Sequence, residues 1–480
     1  MDDPIHRLEF EVNNKEYVQE TAVEVMTNNW FQNGEETKKT DVNQDAKVQG
    51  AWNKFVELCT STTMHGVGNI FAEEEKPFFQ SPRRIFWFCA VLACASFSFY
   101  EISLNIKYYL GNPINTVFKV EYASELTFPV ITLCNNNQIR KSWAMSSPYM
   151  RVIQAYAAKP GQRGSSIDWN SYNWTGFSFD KLMFKAGHQV KDLVLQCKWK
   201  GAQCSAADFT PDPTFLGGCF AFNYNQYLKI TGTGIDNALH LVLNVEQNEY
   251  VGNLRSGAGF RLLFREAHEP PNTDRFVIAL QPGTQTLIPL TLKSLKSLPA
   301  PYGECEDQDN LKMFSKYSVT ACVYECRARI GGERRGCREM YPAGIQTDIP
   351  ICLPQKYRDC LNPLIVEINS KGLCSKCKAP CQKNNYVPRI SYSQYPANHV
   401  ADHMAEQMNT TRQFIRDNFL EVNVYFEDMV IETMEQQPAY SLSNLVGVIG
   451  GTLGVFIGAS ILTVSEFLEF FILLVISKLK

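Results

Sequence analysis

Two apolar stretches, one towards each end of the chain, constrain its folding more than any other feature. The first runs from Ile85 to Leu110 and opens Ile85-Phe86-Trp87-Phe88-Cys89-Ala90-Val91-Leu92; the second runs from Leu445 to Ile476. Either is long enough to cross the hydrocarbon core of a bilayer as a helix. The first lies too deep in the chain for a secretory signal peptide and has no small-residue cleavage site close behind it. Arg83 and Arg84 precede the first stretch, and Lys478 and Lys480 follow the second. Cationic residues concentrate on the cytoplasmic side of membrane spans, which predicts a two-pass plasma-membrane protein with both termini in the cytoplasm. The expected organisation is a cytoplasmic segment over 1–84, a first transmembrane helix over 85–110 and an extracellular domain over 111–444. A second transmembrane helix over 445–476 and a short cytoplasmic stub over 477–480 complete it.

The cysteines agree with that topology. Of sixteen, thirteen lie between the two stretches, from Cys134 to Cys381. Thiols stay reduced in the cytosol, so this density belongs to an oxidising, extracellular compartment. Close pairs such as Cys374 and Cys377 leave metal binding as the competing use, but no histidines at zinc spacing accompany them, and no metal or other cofactor is expected. Asn173-Trp174-Thr175 and Asn409-Thr410-Thr411 are glycosylation acceptors in the same region. A net charge of −3 without a Lys/Arg stripe excludes a nucleic-acid binder. Only seven histidines occur, with no Ser-His-Asp or Cys-His constellation and no phosphate loop, so an enzyme is not expected.

The second stretch does not read as a plain anchor. Gly447 and Gly451 are four apart, as are Gly450, Gly454 and Gly458, which leaves a bare helical stripe that another backbone can approach closely. Simple dimerisation is the bland use of such a stripe. Glu466 and Glu469 argue for more, because a carboxylate within a span costs roughly 2.5–3.5 kcal/mol on insertion scales and faces water or a partner. Spaced i, i+3, the two share a face, and in a symmetric oligomer they would form acidic rings that concentrate cations. Glu469 is also placed to sit at the cytoplasmic interface. Between stripe and acids, the small residues Gly458-Ala459-Ser460 are suited to breaking the helix and offering carbonyls to an ion. The stretch reads as a pore lining.

The region between has the texture of an α+β domain. Alternation predicts strands at 241–245, 259–264 and 420–427, separated by turns such as Glu269-Pro270-Pro271 and Pro282-Gly283. A helix is expected from Tyr317 to Ile330, with Cys322 and Cys326 on one face, and Cys374 and Cys377 are spaced to staple a second helix beside it. Before the first span, Ser61-Thr62-Thr63-Met64-His65-Gly66-Val67-Gly68 is a run of mainly small residues; taken alone, a His beside Gly is most often a turn.

Several of these segments together resemble the degenerin/epithelial sodium channel family, which includes acid-sensing and neuropeptide-gated channels. The resemblance is carried by His65-Gly66, by Leu126-Thr127-Phe128-Pro129-Val130-Ile131-Thr132-Leu133-Cys134-Asn135 and by Gly217-Gly218-Cys219-Phe220. Pro282-Gly283-Thr284-Gln285-Thr286, Tyr317-Ser318-Val319-Thr320-Ala321-Cys322 and Gly458-Ala459-Ser460 with Glu466 continue it. It implies a homo- or heterotrimeric, amiloride-blockable sodium channel with a hand-like extracellular domain of palm, thumb, finger, knuckle and β-ball. It casts Gly458-Ala459-Ser460 as the selectivity filter, His65-Gly66 as a gating element folded back towards the lower pore, and Gly447 as a residue whose enlargement opens the channel. It implies the disulfides Cys134–Cys219, Cys197–Cys204, Cys305–Cys381, Cys322–Cys377, Cys326–Cys374 and Cys337–Cys352. Cys360 is left over, because Arg335 stands where its partner is expected.

The ligand is less plainly written. Acid-sensing members of the family carry a His pair shortly after the first span, where this chain has Pro113-Ile114-Asn115, and an aspartate before the glycine stripe, where it has Val448. These departures, with overall similarity, favour a short amidated neuropeptide of the FMRFamide type, with protons as the alternative; no ligand pocket is legible. An ATP-gated trimer lacks the Gly-Ala-Ser and His-Gly marks, and a two-pass receptor leaves the acidic face unexplained.

Overall fold

The computed structural model describes residues 52–72, 77–150, 168–174, 179–214, 216–251, 257–272, 277–306, 311–340 and 347–479. The first 51 residues of the expected cytoplasmic segment, Thr175 of the first acceptor and Lys480 lie outside the described residues. The chain divides into two compact units: Met1–Gly111 with Ser441–Lys480, and Asn112–Tyr440.

In the first unit, a 29-residue helix spans Pro82–Leu110. It starts three residues before the apolar pattern because Pro82 at its first position has the right φ and no N–H to leave unpaired. The second apolar stretch is not one helix. It forms Leu442–Ile457 and Ile461–Leu479, bent by 75° at the break. Ser441 caps the upper half, its hydroxyl accepting from the Asn444 N–H, which moves the start to Leu442 from the expected Leu445. The upper half packs on the first-span helix, with the Phe97 and Phe456 rings 4.9 Å apart. The Pro82–Leu110 helix is long and apolar enough to cross a membrane, and the bent pair meets the same test taken together.

The second unit is built on an eight-stranded mixed sheet. Its order is Gln382–Pro388, Thr284–Lys296, Phe419–Pro438, Leu239–Asn244, Val194–Trp199, Ala202–Cys204, with Ile114–Tyr122 beside Phe419–Pro438 and Ser391–Gln394 beside Thr284–Lys296. Leu420, Val422, Val424 and Phe426 point into the core with no exposed surface, as their alternation predicts. The 20-residue strand Phe419–Pro438 pairs in parallel with Thr284–Lys296, and the register slips so that residues 427–430 bulge opposite Thr291. A second sheet orders Ile278–Leu280, Phe260–Arg265, Val130–Asn135, Gly217–Phe222, Phe209–Thr214. All six residues of Val130–Asn135 are buried.

The long helix of this unit runs Val319–Arg335, capped by Ser318 and closed by Gly336 in the left-handed conformation, φ 65°. It carries Cys322 and Cys326 to Cys377 and Cys374, but not as rungs between two helices. The neighbouring helix ends at Ser370, and the two partner cysteines lie in and just after the turns beyond it, opened by Gly372 at φ 59°. The remaining disulfides are Cys134–Cys219, Cys197–Cys204, Cys305–Cys381 and Cys337–Cys352, so all six pairs are those the resemblance implies. Cys360, in a π-helical turn at Tyr357–Leu361, keeps a free thiol.

Candidate functional site

The break in the second apolar stretch is constructed from both sides. The upper half ends in a glycine cap: Gly458 sits at φ 74°, its N–H donating to the Gly454 carbonyl at 3.0 Å, while Ala459 donates to Leu453 at 3.2 Å. The lower half opens with Ser460, whose hydroxyl accepts from the Leu462 N–H at 3.2 Å. Its own N–H donates to the Thr463 hydroxyl at 3.0 Å. These two bonds make a reciprocal capping box with Thr in the role usually held by Glu or Gln. Gly458-Ala459-Ser460 is thus a three-residue non-helical link, capped through the backbone at its upper end and through the Ser460 and Thr463 hydroxyls at its lower end.

The segment before the first span lies against that link. The His65 N–H donates to the Ile457 carbonyl at 2.7 Å. The His65 ring covers Gly458 so closely that a Cβ there would stand 2.7 Å from Cγ and Cδ2. Gly66, also left-handed at φ 79°, is closed from the other side, since its Cβ would meet Trp87 at 2.9 Å and Val91 at 3.0 Å. His65-Gly66 is therefore no ordinary turn; it is the wedge between the first-span helix and the break.

Glu466, expected to face water or a partner, finds partners within its own chain. It is half-buried and accepts from the Thr62 hydroxyl at 2.9 Å and the Thr63 N–H at 3.2 Å. Glu469 is exposed. Thr62, Thr63 and Thr463 were not legible as site residues; the available signal was a run of four hydroxyl residues, Thr60 to Thr63, before His-Gly and the hydroxyls of Thr463 and Ser465 in an apolar helix. A Cβ on Gly447, Gly450, Gly451 or Gly454 would meet nothing within 4 Å, so these glycines leave open surface rather than serving packing within the chain.

The other unit carries further titratable groups. Arg265 and Asp212 form a buried pair at 2.9 Å, and Thr132 donates to the same carboxylate at 2.9 Å. Glu266 pairs with Lys316 at 2.7 Å and accepts from Asn384. Glu269 is held above the usual carboxylate range, first by burial and further by Glu266, which outweigh Lys383, Lys316 and Arg265. His188 contacts Glu246 through Nδ1 at 2.7 Å, and the Asn137 amide donates to its Nε2 at 2.9 Å. His240 contacts Asn423 at 2.9 Å and Glu421 at 3.6 Å. Asn173 and Asn409 are both exposed. Among the described residues no group of three or more His, Cys, Asp or Glu is gathered to hold a metal.

Residues 58–470 match the sequence profile of the amiloride-sensitive sodium channel family. Acid-sensing ion channel 1B of Danio rerio is 31% identical over 437 residues, covering 85% of this chain and 75% of its own. Acid-sensing ion channel 2 of Homo sapiens is 30% identical over 452 residues, covering 88% and 86%. Acid-sensing ion channel 1 of Gallus gallus is 30% identical over 444 residues, covering 86% and 82%. A solved proton-activated chloride channel overlaps 81% of this chain and 98% of its own at 7% identity, but a TM-score of 0.31 is too low to bear on fold.

Proposed function

The chain belongs to the amiloride-sensitive sodium channel family, and on that premise we propose that it is a subunit of a trimeric, amiloride-blocked sodium channel opened by extracellular protons. Both termini are cytoplasmic and the cysteine-rich unit is extracellular. Gly458, Ala459 and Ser460 form the selectivity filter, with Glu466 and Glu469 below it. His65 and Gly66 hold the lower pore, and Gly447 lies where three upper helices close together. The observation that carries this reading is the broken second span with His65 seated on Gly458. An anchor needs no break, whereas a narrow carbonyl-lined constriction does.

Protons are favoured as the activator because the curated relatives named above are acid-sensing channels over most of this chain's length. The energetic demand is small. Moving a channel from 1:99 to 99:1 open takes about 5.5 kcal/mol of differential binding. At about 1.36 kcal/mol per pKa unit that is roughly four units in all, or little more than one unit on one group in each of three subunits. Glu269, held above the usual carboxylate range by burial, supplies a candidate. A short amidated neuropeptide is the second reading, supported by Pro113-Ile114-Asn115 and Val448 in place of the His pair and aspartate.

Whole-cell recording from cells expressing this chain alone decides between them. A step from neutral pH to about pH 5 should evoke inward sodium current that amiloride blocks. Silence to acid, with current evoked by an amidated peptide at constant pH, would establish the second reading instead. Absence of any current from a chain shown to reach the surface would remove the homomeric channel.

A further inference from the structure

Thr463 is buried, at 3% exposure, and its hydroxyl serves two partners at once. It accepts the Ser460 N–H at 3.0 Å, and it lies 2.7 Å from the Thr63 hydroxyl of the pre-span segment. One turn lower on the same helical face, Glu466 holds Thr62 and the Thr63 N–H. One turn higher, His65 is bonded to Ile457 through its N–H. The pre-span segment is thus fastened at three successive levels, His65 to the end of the upper helix and Thr63 and Thr62 to the lower one, and only the middle level ends on a backbone N–H of the link. Ser460 belongs to the three-residue link, and its backbone N–H is oriented by Thr463 alone among the described partners.

From this arrangement we infer that Thr463 is a positioning residue for ion discrimination, with Thr63 as its outer partner. Together they transmit the seating of the pre-span segment to the backbone of Ser460. The inference rests on the filter reading above. Its physical content is simple. A three-residue link with only glycine, alanine and serine has no bulk to hold its own shape, so its carbonyl directions depend on the caps at its two ends. The upper cap is intrinsic to the glycine backbone. The lower one hangs on a side-chain hydroxyl, and that hydroxyl is itself tied to a different segment of the chain. Withdrawal of the pre-span segment therefore frees the lower end of the link, whereas at the upper end it removes the His65 contacts but leaves the backbone cap of Gly458 and Ala459 in place.

Valine has threonine's shape without the hydroxyl, so Thr463→Val deletes both bonds with little change in packing. The Na⁺/K⁺ permeability ratio, read from reversal potentials, should fall by roughly two- to tenfold, the span expected for one lost hydrogen bond. Thr63→Val should lower it less, because the Ser460 bond survives, and Thr463→Ser should restore it. Recordings made in the Gly447→Phe background supply standing current, and acid steps supply evoked current. An unchanged ratio in Thr463→Val, while Gly458→Ser shifts it, overturns the role of Thr463 and leaves the filter reading intact. If neither substitution shifts the ratio, the filter reading falls as well. A serine variant as altered as the valine one also overturns the inference, since the hydroxyl would then not be the cause. A second measurement needs no current. The full chain carrying Thr63→Cys and Thr463→Cys, oxidised in membranes, should form an intrachain disulfide identifiable by mass spectrometry. Failure to form it at normal surface expression would show that the two positions are not apposed.

Discussion

At the scale of single residues, Gly458 occupies a position that opposes any side chain. Gly458 needs a left-handed backbone and has a histidine ring where its Cβ would be, so a side chain is opposed both by conformation and by contact. Gly458→Ala should cost about 1 kcal/mol in backbone strain alone and displace His65 besides. Removing the ring relieves only the second term. Reversal potentials of Gly458→Ala and of Gly458→Ala with His65→Ala test this: the double variant should recover part of the lost selectivity, and a simple sum of two losses would contradict the packing argument. Arg265 and Asp212 make a comparable test of stability. Their side chains are 5% and 1% exposed, and breaking such a pair by Asp212→Asn, which leaves the Arg265 charge buried, should cost about 3–5 kcal/mol. Surface expression of the variant should collapse, and normal expression would show that the charge finds another partner.

At the scale of elements, the Val319–Arg335 helix depends on its two disulfides. Removing Cys322 or Cys326 should cost roughly 2–5 kcal/mol and leave a lone thiol during folding, so Cys→Ser variants should reach the surface poorly. Cys360→Ser should be tolerated, because its thiol is free. Surface labelling of the three variants compares them directly, and a severe loss for Cys360→Ser would mean that this thiol has a bonded role. The upper half of the second span makes a different kind of prediction. A Cβ on Gly447 would meet nothing within 4 Å in its own chain, so a large side chain there leaves the subunit's fold alone and, on the proposed trimeric reading, acts where upper helices would close together. Gly447→Phe should give standing, amiloride-sensitive current without any activator, and ordinary dependence on the activator in a well-expressed variant would refute it.

At the scale of the whole molecule, the proposed proton gating asks how proton uptake in the cysteine-rich unit favours one conformation. Glu269 shows the sign. Burial disfavours its charged form, so its pKa in this conformation lies above that of an exposed glutamate. Above that raised value the folded chain must carry a buried charge, which weakens this conformation; as pH falls through it, the penalty disappears. Glu269→Gln carries no charge at any pH. The variant should therefore be more stable than the parent at neutral pH, by an amount that shrinks to nothing as the solution is acidified. Thermal unfolding of the purified chain at a series of pH values measures this. A difference that grows on acidification would reverse the assigned cause.

The sequence by itself determined whatever repeats at short range. Period-2 alternation fixed Leu420, Val422, Val424 and Phe426 as core, long apolar runs marked the two membrane stretches, and Gly458-Ala459-Ser460 announced a helix break, because each is a local property of a few neighbouring residues. The cysteine pairs were legible only through family resemblance, since spacing alone allows many connectivities. What the tertiary structure decided is what joins distant parts of the chain. The parallel pairing of Thr284–Lys296 with Phe419–Pro438, with its slip at 427–430, leaves no trace in either strand's own pattern. Glu466 was readable as a carboxylate in a span, but whether it faced an ion or a partner depended on Thr62, some four hundred residues earlier. Thr463 was invisible for the same reason. A scattered hydroxyl in an apolar helix has no periodicity to betray it, and its meaning comes entirely from what the fold sets against it.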